Sequence, residues 1–466
     1  MDAFGVLGAV LGDYESFVRG FLNIRDPEVL EKVECEVENG LMWPEPWLAL
    51  NPAFQPGGSV GDLVDRGLLH PAAREIFRHR TDDDPFGREI AFHKHQSDAI
   101  EIAARCESYV LTTGTGSGKS LSYIVPIVDR VLREGTGQGV RAIVVYPMNA
   151  LANSQVGELE KFLGKDMPKV TFKRYTGQER RVERDAILAS PPDILLTNYV
   201  MLELMLTRPR ERGSLISSAE NLSFLVLDEL HTYRGRQGAD VAMLIRRLRG
   251  AIGAQRLQCV GTSATLAGPG RRAEQRVEVA ALASRLFGTA IPPGNVVGES
   301  LRRATVGDTD TDRLRSRVAL APPITRTTLQ GDDLAIWIEQ TFGLGEDDEG
   351  NLARQTPTRL RDAASQLSAL TGADLDVCVT TLRETLLAGS RARDGDGRPL
   401  FAFKLHQFIG KGDTAYVTMG RARAALSHHP LPAQCPGGTA GPAAVPAGLL
   451  PGVWSGLPRG QPGAGW

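Results

Sequence analysis

The stretch Val110-Leu111-Thr112-Thr113-Gly114-Thr115-Gly116-Ser117-Gly118-Lys119-Ser120 leaves this chain few folds to choose from. An apolar run climbs into a turn filled with glycine and hydroxyl residues, then meets a lysine, a serine and a helix-compatible segment. That order predicts a strand, a phosphate-cradling loop and a helix. Glycine lets backbone N–H groups converge on phosphate oxygens, and a helix N-terminus adds its partial positive charge. Lys119 can reach β- and γ-phosphates, and the Ser120 hydroxyl can ligate Mg2+. The strict pattern asks for glycine where Thr113 stands, whereas its end, Gly116-x-Gly118-Lys119-Ser120, is intact. A glycine-rich surface turn is the plainer reading, but such turns rarely carry Lys-Ser between a strand and a helix. Thr113, Gly114, Thr115, Gly116, Ser117, Gly118, Lys119 and Ser120 are therefore read as a nucleotide-phosphate site.

Five further apolar or β-rich runs follow Tyr109–Thr113: Ala142–Tyr146, Val170–Tyr175, Asp193–Thr197, Phe224–Leu227 and Leu257–Gly261. Helix-compatible segments lie between most of them. Strands alternating with helices predict an α/β fold with a parallel, doubly wound sheet and ligands at the carboxyl ends of its strands.

The 466 residues allow two or three domains and a sizeable core. A net charge of −2 gives no global field for nucleic acid, so such a partner must meet a local surface. The five cysteines are scattered with no Cys-x-x-Cys pair, which suits a reducing cytoplasm and offers no zinc site. The apolar start Ala3–Gly12 lacks a basic region before it and is too short to span a bilayer. The expected location is cytoplasmic, with no membrane partner.

Four regions are expected. Residues 1–85 read as mostly helical, with a break at Trp43-Pro44-Glu45-Pro46-Trp47, a loop at Asn51–Gly58 and a capped helix start at Ser59. Residues 86–292 hold the parallel sheet. Residues 293–418 show no further phosphate loop or clear parallel-sheet series, but carry amphipathic helices at Leu334–Phe342, Pro357–Leu370 and Leu375–Leu387. From Pro430 to Trp466, Pro and Gly make up 17 of 37 residues, so 419–466 is expected to be a disordered tail.

The fifth strand ends in Asp228-Glu229-Leu230-His231. An Asp there can hold Mg2+ through water, and the adjacent Glu can orient or deprotonate an attacking water. A solvated strand terminus would also end in two acids, though less often downstream of a phosphate loop. His231 sits where a coupling residue could sense the γ-phosphate. The sixth strand ends in Gly261-Thr262-Ser263-Ala264-Thr265, whose hydroxyls are placed to bond His231 and the two acids.

In this order, Thr113–Ser120, Asp228–His231 and Ser263-Ala264-Thr265 resemble motifs I, II and III of superfamily-two helicases, the DEAD/DEAH-box group. That resemblance implies a RecA-like fold, ATP and Mg2+ as cofactors, and nucleic acid as partner. It makes Lys119, Asp228, Glu229 and His231 the catalytic set, Ser120 and Asp228 the Mg2+ ligands, and Ser263 and Thr265 the coupling residues. Phe92-His93-Lys94-His95-Gln96 resembles the upstream Q-type motif, implying that Gln96 recognises adenine. Tyr146-Pro147-Met148-Asn149, Tyr175-Thr176-Gly177-Gln178 and Thr197-Asn198-Tyr199 resemble the strand-end motifs that contact the nucleic-acid backbone. By that resemblance Pro147, Asn149, Thr176, Gly177, Thr197 and Asn198 are candidate contacts; each taken singly is an ordinary strand-to-helix turn. The longer string Leu227–Gly235, Leu41–Pro46 and Phe403–Ile409 are similar to large bacterial MrfA-type and defence-associated helicases, which makes DNA the favoured partner over RNA.

In this group a second RecA-like domain supplies arginines that stabilise charge on the transferring phosphoryl group. No Gln-x-x-Gly-Arg-x-Gly-Arg pattern is present; Gly420-Arg421-Ala422-Arg423 lacks its context. The chain is thus expected to hydrolyse ATP slowly or not at all alone, unless another chain completes it. Codons for Leu450–Gly456 shifted by one base allow Cys-Arg-Glu-Cys-Gly-Gln, a Cys-x-x-Cys pair of the kind a zinc site uses. The expectation is a frameshift between about Met419 and Cys435 that truncates the chain; the alternative is a natural Pro/Gly tail. Two readings follow: the ATP-binding half of a helicase or translocase, or a non-hydrolysing nucleotide- and nucleic-acid-binding module.

Overall fold

The computed structural model describes residues 2–21, 27–38, 43–81, 83–114, 116–164, 170–253, 256–264, 271–347, 350–395, 397–409, 416–418 and 444–446. The chain divides into two compact units. One comprises Ala53–Arg302 with Asp348–Gly350; the other comprises Met1–Pro52, Arg303–Asp347 and Asn351–Trp466.

The first unit is built on a parallel sheet. In chain order its elements are α1 (Lys94–Ala104), β1 (Tyr109–Thr112), α2 (Leu121–Glu134), β2 (Ala142–Tyr146), α3 (Asn149–Leu163) and β3 (Phe172–Arg174). There follow α4 (Arg181–Ala189), β4 (Ile194–Asn198), α5 (Tyr199–Thr207), β5 (Phe224–Leu227), α6 (Gly235–Ile252), β6 (Gln258–Ser263), α7 (Arg272–Phe287) and β7 (Val296–Gly298). The strand order is β7-β1-β6-β5-β2-β4-β3, with every neighbouring pair parallel. The inner strands β2 and β5 are apolar along their length because both faces are covered. Alternate residues serve opposite faces: Val110, Ile143, Val145, Leu225 and Leu227 enter one core, while Tyr109, Leu111, Ala142, Val144, Tyr146, Phe224 and Val226 enter the other. The doubly wound α/β expectation holds, and the six expected strands are all present within a residue or two.

Three boundaries differ from expectation. β7 begins beyond residue 292 and pairs with β1 at Val296–Val110 and Val297–Leu111, so the sheet has seven strands. Its run, Val296-Val297-Gly298, is too short to stand out without its partner. Residues 47–93 are not mostly helical. Pro56–Ser59 pairs antiparallel with Ala91–His93, and Arg78–Thr81 with Asp84–Glu89. The expected loop at 51–58 includes strand Ala53–Phe54, paired with Leu301–Arg302. Unit boundaries therefore fall near 52 and 302, not 85 and 292. The helix start at Ser59 is as expected: its side chain accepts from Asp62 N–H while Asp62 accepts from Ser59 N–H.

The second unit is helical, and its described residues also form a three-stranded sheet and two strand pairs. Helices Thr311–Arg317, Asp333–Phe342, Leu360–Thr371 and Leu375–Arg391 share a core that includes Leu314, Leu334, Ile338, Phe342, Leu367, Leu382 and Leu386. Trp47–Asn51 is the central strand of the three-stranded sheet, between Thr358–Arg359 and Ala402–His406. The N-terminal residues and the C-terminal helices are thus one unit rather than two regions. Of the expected disordered tail at 419–466, strand Ala444–Pro446 is described, paired with Tyr416–Thr418. The rest of it, with the proposed frameshift between Met419 and Cys435, lies outside the described residues. No described helix is long and apolar enough to cross a membrane.

Candidate functional site

The phosphate loop joins β1 to α2 at the carboxyl edge of the sheet. Gly116 and Gly118 take φ values of 82° and 71°, a left-handed region that residues bearing a Cβ rarely enter. Thr113, in the position where the strict pattern has glycine, braces the loop: its Oγ1 lies 2.7 Å from Ser117 Oγ, and both residues are buried. The buried His95 holds the same turn from below, with Nε2 2.9 Å from Ser117 O, and burial lowers its pKa. Ring nitrogen Nε2 must therefore carry the proton, since a carbonyl only accepts. Thr115 lies outside the described residues.

Gln96 is 2 % exposed and already bonded inside the protein. Its Nε2 donates to Gly118 O at 2.8 Å, and its Oε1 accepts from His93 N–H at 2.8 Å. The amide thereby ties α1 to the phosphate loop, and keeps one further donor and lone pair for a purine edge.

Lys119 decides the character of the loop. Its side chain is 12 % exposed, and its buried Nζ has no hydrogen-bond partner within the protein. The nearest acid is Glu229, whose Oε1 lies 3.6 Å away, beyond hydrogen-bond range. A desolvated ammonium with no acceptor is costly. Phosphate oxygens are the acceptors that such a loop is shaped to receive.

The acids stand opposite. Asp228 ends β5 and donates its N–H to Val145 O at 2.9 Å, which keeps it in register with β2. Burial raises its pKa, against which the Thr262 hydrogen bond acts. Thr262 Oγ1 donates to Asp228 Oδ1. Glu229 leaves the strand with φ 54° and ψ 56°, a left-handed conformation rare for a residue with a side chain. Ala264 N–H donates to Glu229 Oε2 at 3.3 Å. His231 Nδ1 lies 3.2 Å from Glu229 Oε2 and 3.3 Å from Ser263 Oγ. Since the Ser263 hydroxyl donates its own proton to Ala264 O, His231 Nδ1–H is the donor to both oxygens. Lys119, Asp228, Glu229, His231 and Ser263 are brought together as expected from the sequence. Thr265 lies outside the described residues.

A match to a known family falls on the same residues. The DEAD/DEAH box helicase family matches residues 93–272. The chain carries a DEAD/DEAH box helicase domain. The Druantia protein DruE of Escherichia coli is 26% identical over 366 residues, covering 54% of this chain and 20% of DruE. The uncharacterized ATP-dependent helicase YprA of Bacillus subtilis is 33% identical over 186 residues, covering 39% of this chain and 24% of YprA. The chain thus spans about a fifth to a quarter of the length of these two relatives. Among solved structures, the helicase MrfA bound to DNA and AMPPNP gives a TM-score of 0.41 at 20% identity, over 72% of this chain and 43% of MrfA.

The strand-end loops beside it form one network. Asn198 caps α5 by accepting from Met201 N–H at 2.7 Å, and its Nδ2 donates to Asn149 Oδ1 at 2.6 Å and Thr176 O at 3.3 Å. This links the ends of β2, β3 and β4, with Pro147 on the first of them. Two candidates need correction. Thr197 is fully buried, its hydroxyl donating to Tyr175 O at 2.7 Å, so it shapes the loop from within. Thr176 is 4 % exposed, its hydroxyl donating to Glu179 Oε1 at 3.0 Å. Glu179 also accepts from the N–H groups of Thr176 and Gly177, each at 2.9 Å. The N–H groups of this turn are thus already bonded within the protein. Asn149, Asn198 and the exposed Met148 remain at the surface of the loops.

Three further residues belong to the site. Glu299, just after β7, accepts from Gly114 N–H at 3.3 Å. Thr262 bridges both acids, a role the sequence had spread over all the hydroxyls of its segment. Gly261 lets motif II lie flat on β6: a Cβ there would stand 2.2 Å from Leu230 Cδ1. A glycine inside a strand was the available signal.

Proposed function

We propose that this chain binds ATP with Mg2+ on its helicase domain and couples that binding to a DNA strand laid across the loops at Pro147–Asn149, Gly177 and Asn198. The observation that carries the reading is Lys119: a buried ammonium without a hydrogen-bond partner, on a phosphate loop, 3.6 Å from the carboxylate of motif II. The metal would be held by Ser120 and Asp228. Among the described residues no group of three or more His, Cys, Asp or Glu could hold a metal by itself. That fits Mg2+, which takes most of its ligands from phosphate and water. Bound Mg2+ supplies charge neutralisation across the β- and γ-phosphates. Lys119 would trade its contact with Glu229 for phosphate oxygens, leaving Glu229 to orient water and His231 to pass the change to Ser263.

A second reading is a module that binds nucleotide and nucleic acid without turnover. It is favoured by one observation: the described residues contain one parallel sheet, and full-rate hydrolysis calls for arginines from a second RecA-like domain. That wall would have to come from elsewhere, in the same polypeptide or another. Hydrolysis of ATP by the purified chain, with and without single-stranded DNA, separates the two. DNA-stimulated turnover supports the first. Nucleotide binding lost in Lys119→Ala, with no turnover in the parent, supports the second. Absence of nucleotide binding in the parent chain refutes both.

A further inference from the structure

We propose that Thr262 is the positioning residue of this site: its single hydroxyl holds the Asp228 carboxylate and the Glu229 main chain in the arrangement that receives Mg2+. The inference rests on the nucleotide reading above and deepens it.

Thr262 follows Gly261 on β6 and is fully buried. Its Oγ1 donates to Asp228 Oδ1 and accepts from Glu229 N–H at 3.2 Å. A hydroxyl has one proton and two lone pairs, so it can serve both neighbours at once. The directions are fixed by the partners: a backbone N–H only donates, so the hydroxyl proton is free for the carboxylate. Glu229 needs such a hold. Its left-handed backbone is one that a residue with a Cβ rarely adopts. Ala264 N–H secures the other end of the same residue through Oε2. The end of β6 therefore grips Glu229 at both main chain and side chain, and Asp228 at its carboxylate.

Without the hydroxyl, the Asp228 carboxylate would lose its hold and Glu229 would be free to leave its left-handed turn. Both changes weaken a site that binds a hard dication through carboxylate oxygen. Serine keeps the hydroxyl, whereas valine keeps the shape without it.

The test titrates Mg2+ against a fluorescent ADP bound to the full chain, with Mg2+-free binding measured in chelator. Thr262→Ser should keep the Mg2+ midpoint within about twofold of the parent. Thr262→Val should raise it about tenfold or more, as expected for losing a hydrogen bond to a charged group. Mg2+-free binding should be equal in all three. An unchanged midpoint in Thr262→Val overturns the proposal. So does a Thr262→Ser midpoint as poor as that of valine, which would make the branched shape the cause. Should valine lower the melting temperature, Thr262→Ala replaces it, and the serine–alanine contrast decides by the same criteria. A parent chain that binds no nucleotide even in chelator would instead refute the nucleotide reading.

Discussion

Lys119 offers a perturbation whose two effects should point in opposite directions. In the ligand-free site its ammonium lies 3.6 Å from Glu229 Oε1 and makes no hydrogen bond. At an effective dielectric of about 20, that separation is worth roughly 4–5 kcal/mol of attraction before desolvation. The desolvation of two largely buried ions offsets most or all of it. Lys119→Met, close in length and uncharged, should therefore leave the melting temperature of the free protein unchanged or slightly higher. Glu229 keeps a partner in His231 at 3.2 Å, so the substitution does not orphan it. Nucleotide binding should respond quite differently. One or two charge-assisted bonds to phosphate are lost, each worth about 1.5–3 kcal/mol, giving a net loss of about 2–4 kcal/mol. That is roughly 30- to 1000-fold in Kd. Fluorescent-nucleotide titration and differential scanning fluorimetry on the same sample measure both. A variant that melts earlier yet binds nucleotide within threefold of the parent would show that Lys119 is a structural ion-pair residue.

Glu229→Gln should abolish DNA-stimulated hydrolysis while leaving nucleotide affinity within about threefold, because the amide still accepts from Ala264 N–H but cannot take a proton from water; unchanged turnover would remove Glu229 from the chemistry. For Asp228 the sign follows from burial. Its folded pKa is raised above the ordinary 3.8, so the folded state holds the proton more tightly than the unfolded chain. The resulting penalty grows as pH rises through the interval between those two values and is in full force at neutral pH. Asp228→Asn should remove that penalty and stabilise the protein at pH 7 by about 0.5–2 kcal/mol, while losing Mg2+-dependent nucleotide binding. The gain should shrink as pH falls towards 4, and thermal melts across that range would expose a constant or reversed effect. Gly261→Ala forces Leu230 Cδ1 away from a Cβ that would stand 2.2 Å from it, so it should cost about 1–3 kcal/mol and lower hydrolysis more than binding. Denaturant melts paired with the ATPase assay would test this, and a neutral variant would show that Leu230 has room to move.

The phosphate loop, the strand runs and the paired acids were legible in the sequence because each is a local covalent pattern. Gly116, Gly118 and Lys119 stand within four residues, and the inner strands announce themselves by apolar runs buried on both faces. What tertiary structure alone decided is who meets whom across long separations. Val296–Gly298 becomes a strand because β1 offers it an edge some 185 residues earlier in the chain, as the Thr112–Val297 contact spans. Trp47–Asn51 pairs with Ala402–His406, a union that no local period encodes. Thr197 and Thr262 look alike in sequence, each a hydroxyl at a strand end. Packing turns the first inward onto Tyr175 O and sets the second between Asp228 and Glu229. A side chain's type sets what it can bond. Its neighbours, brought in by the folding of distant strands onto one sheet, decide which bond it makes.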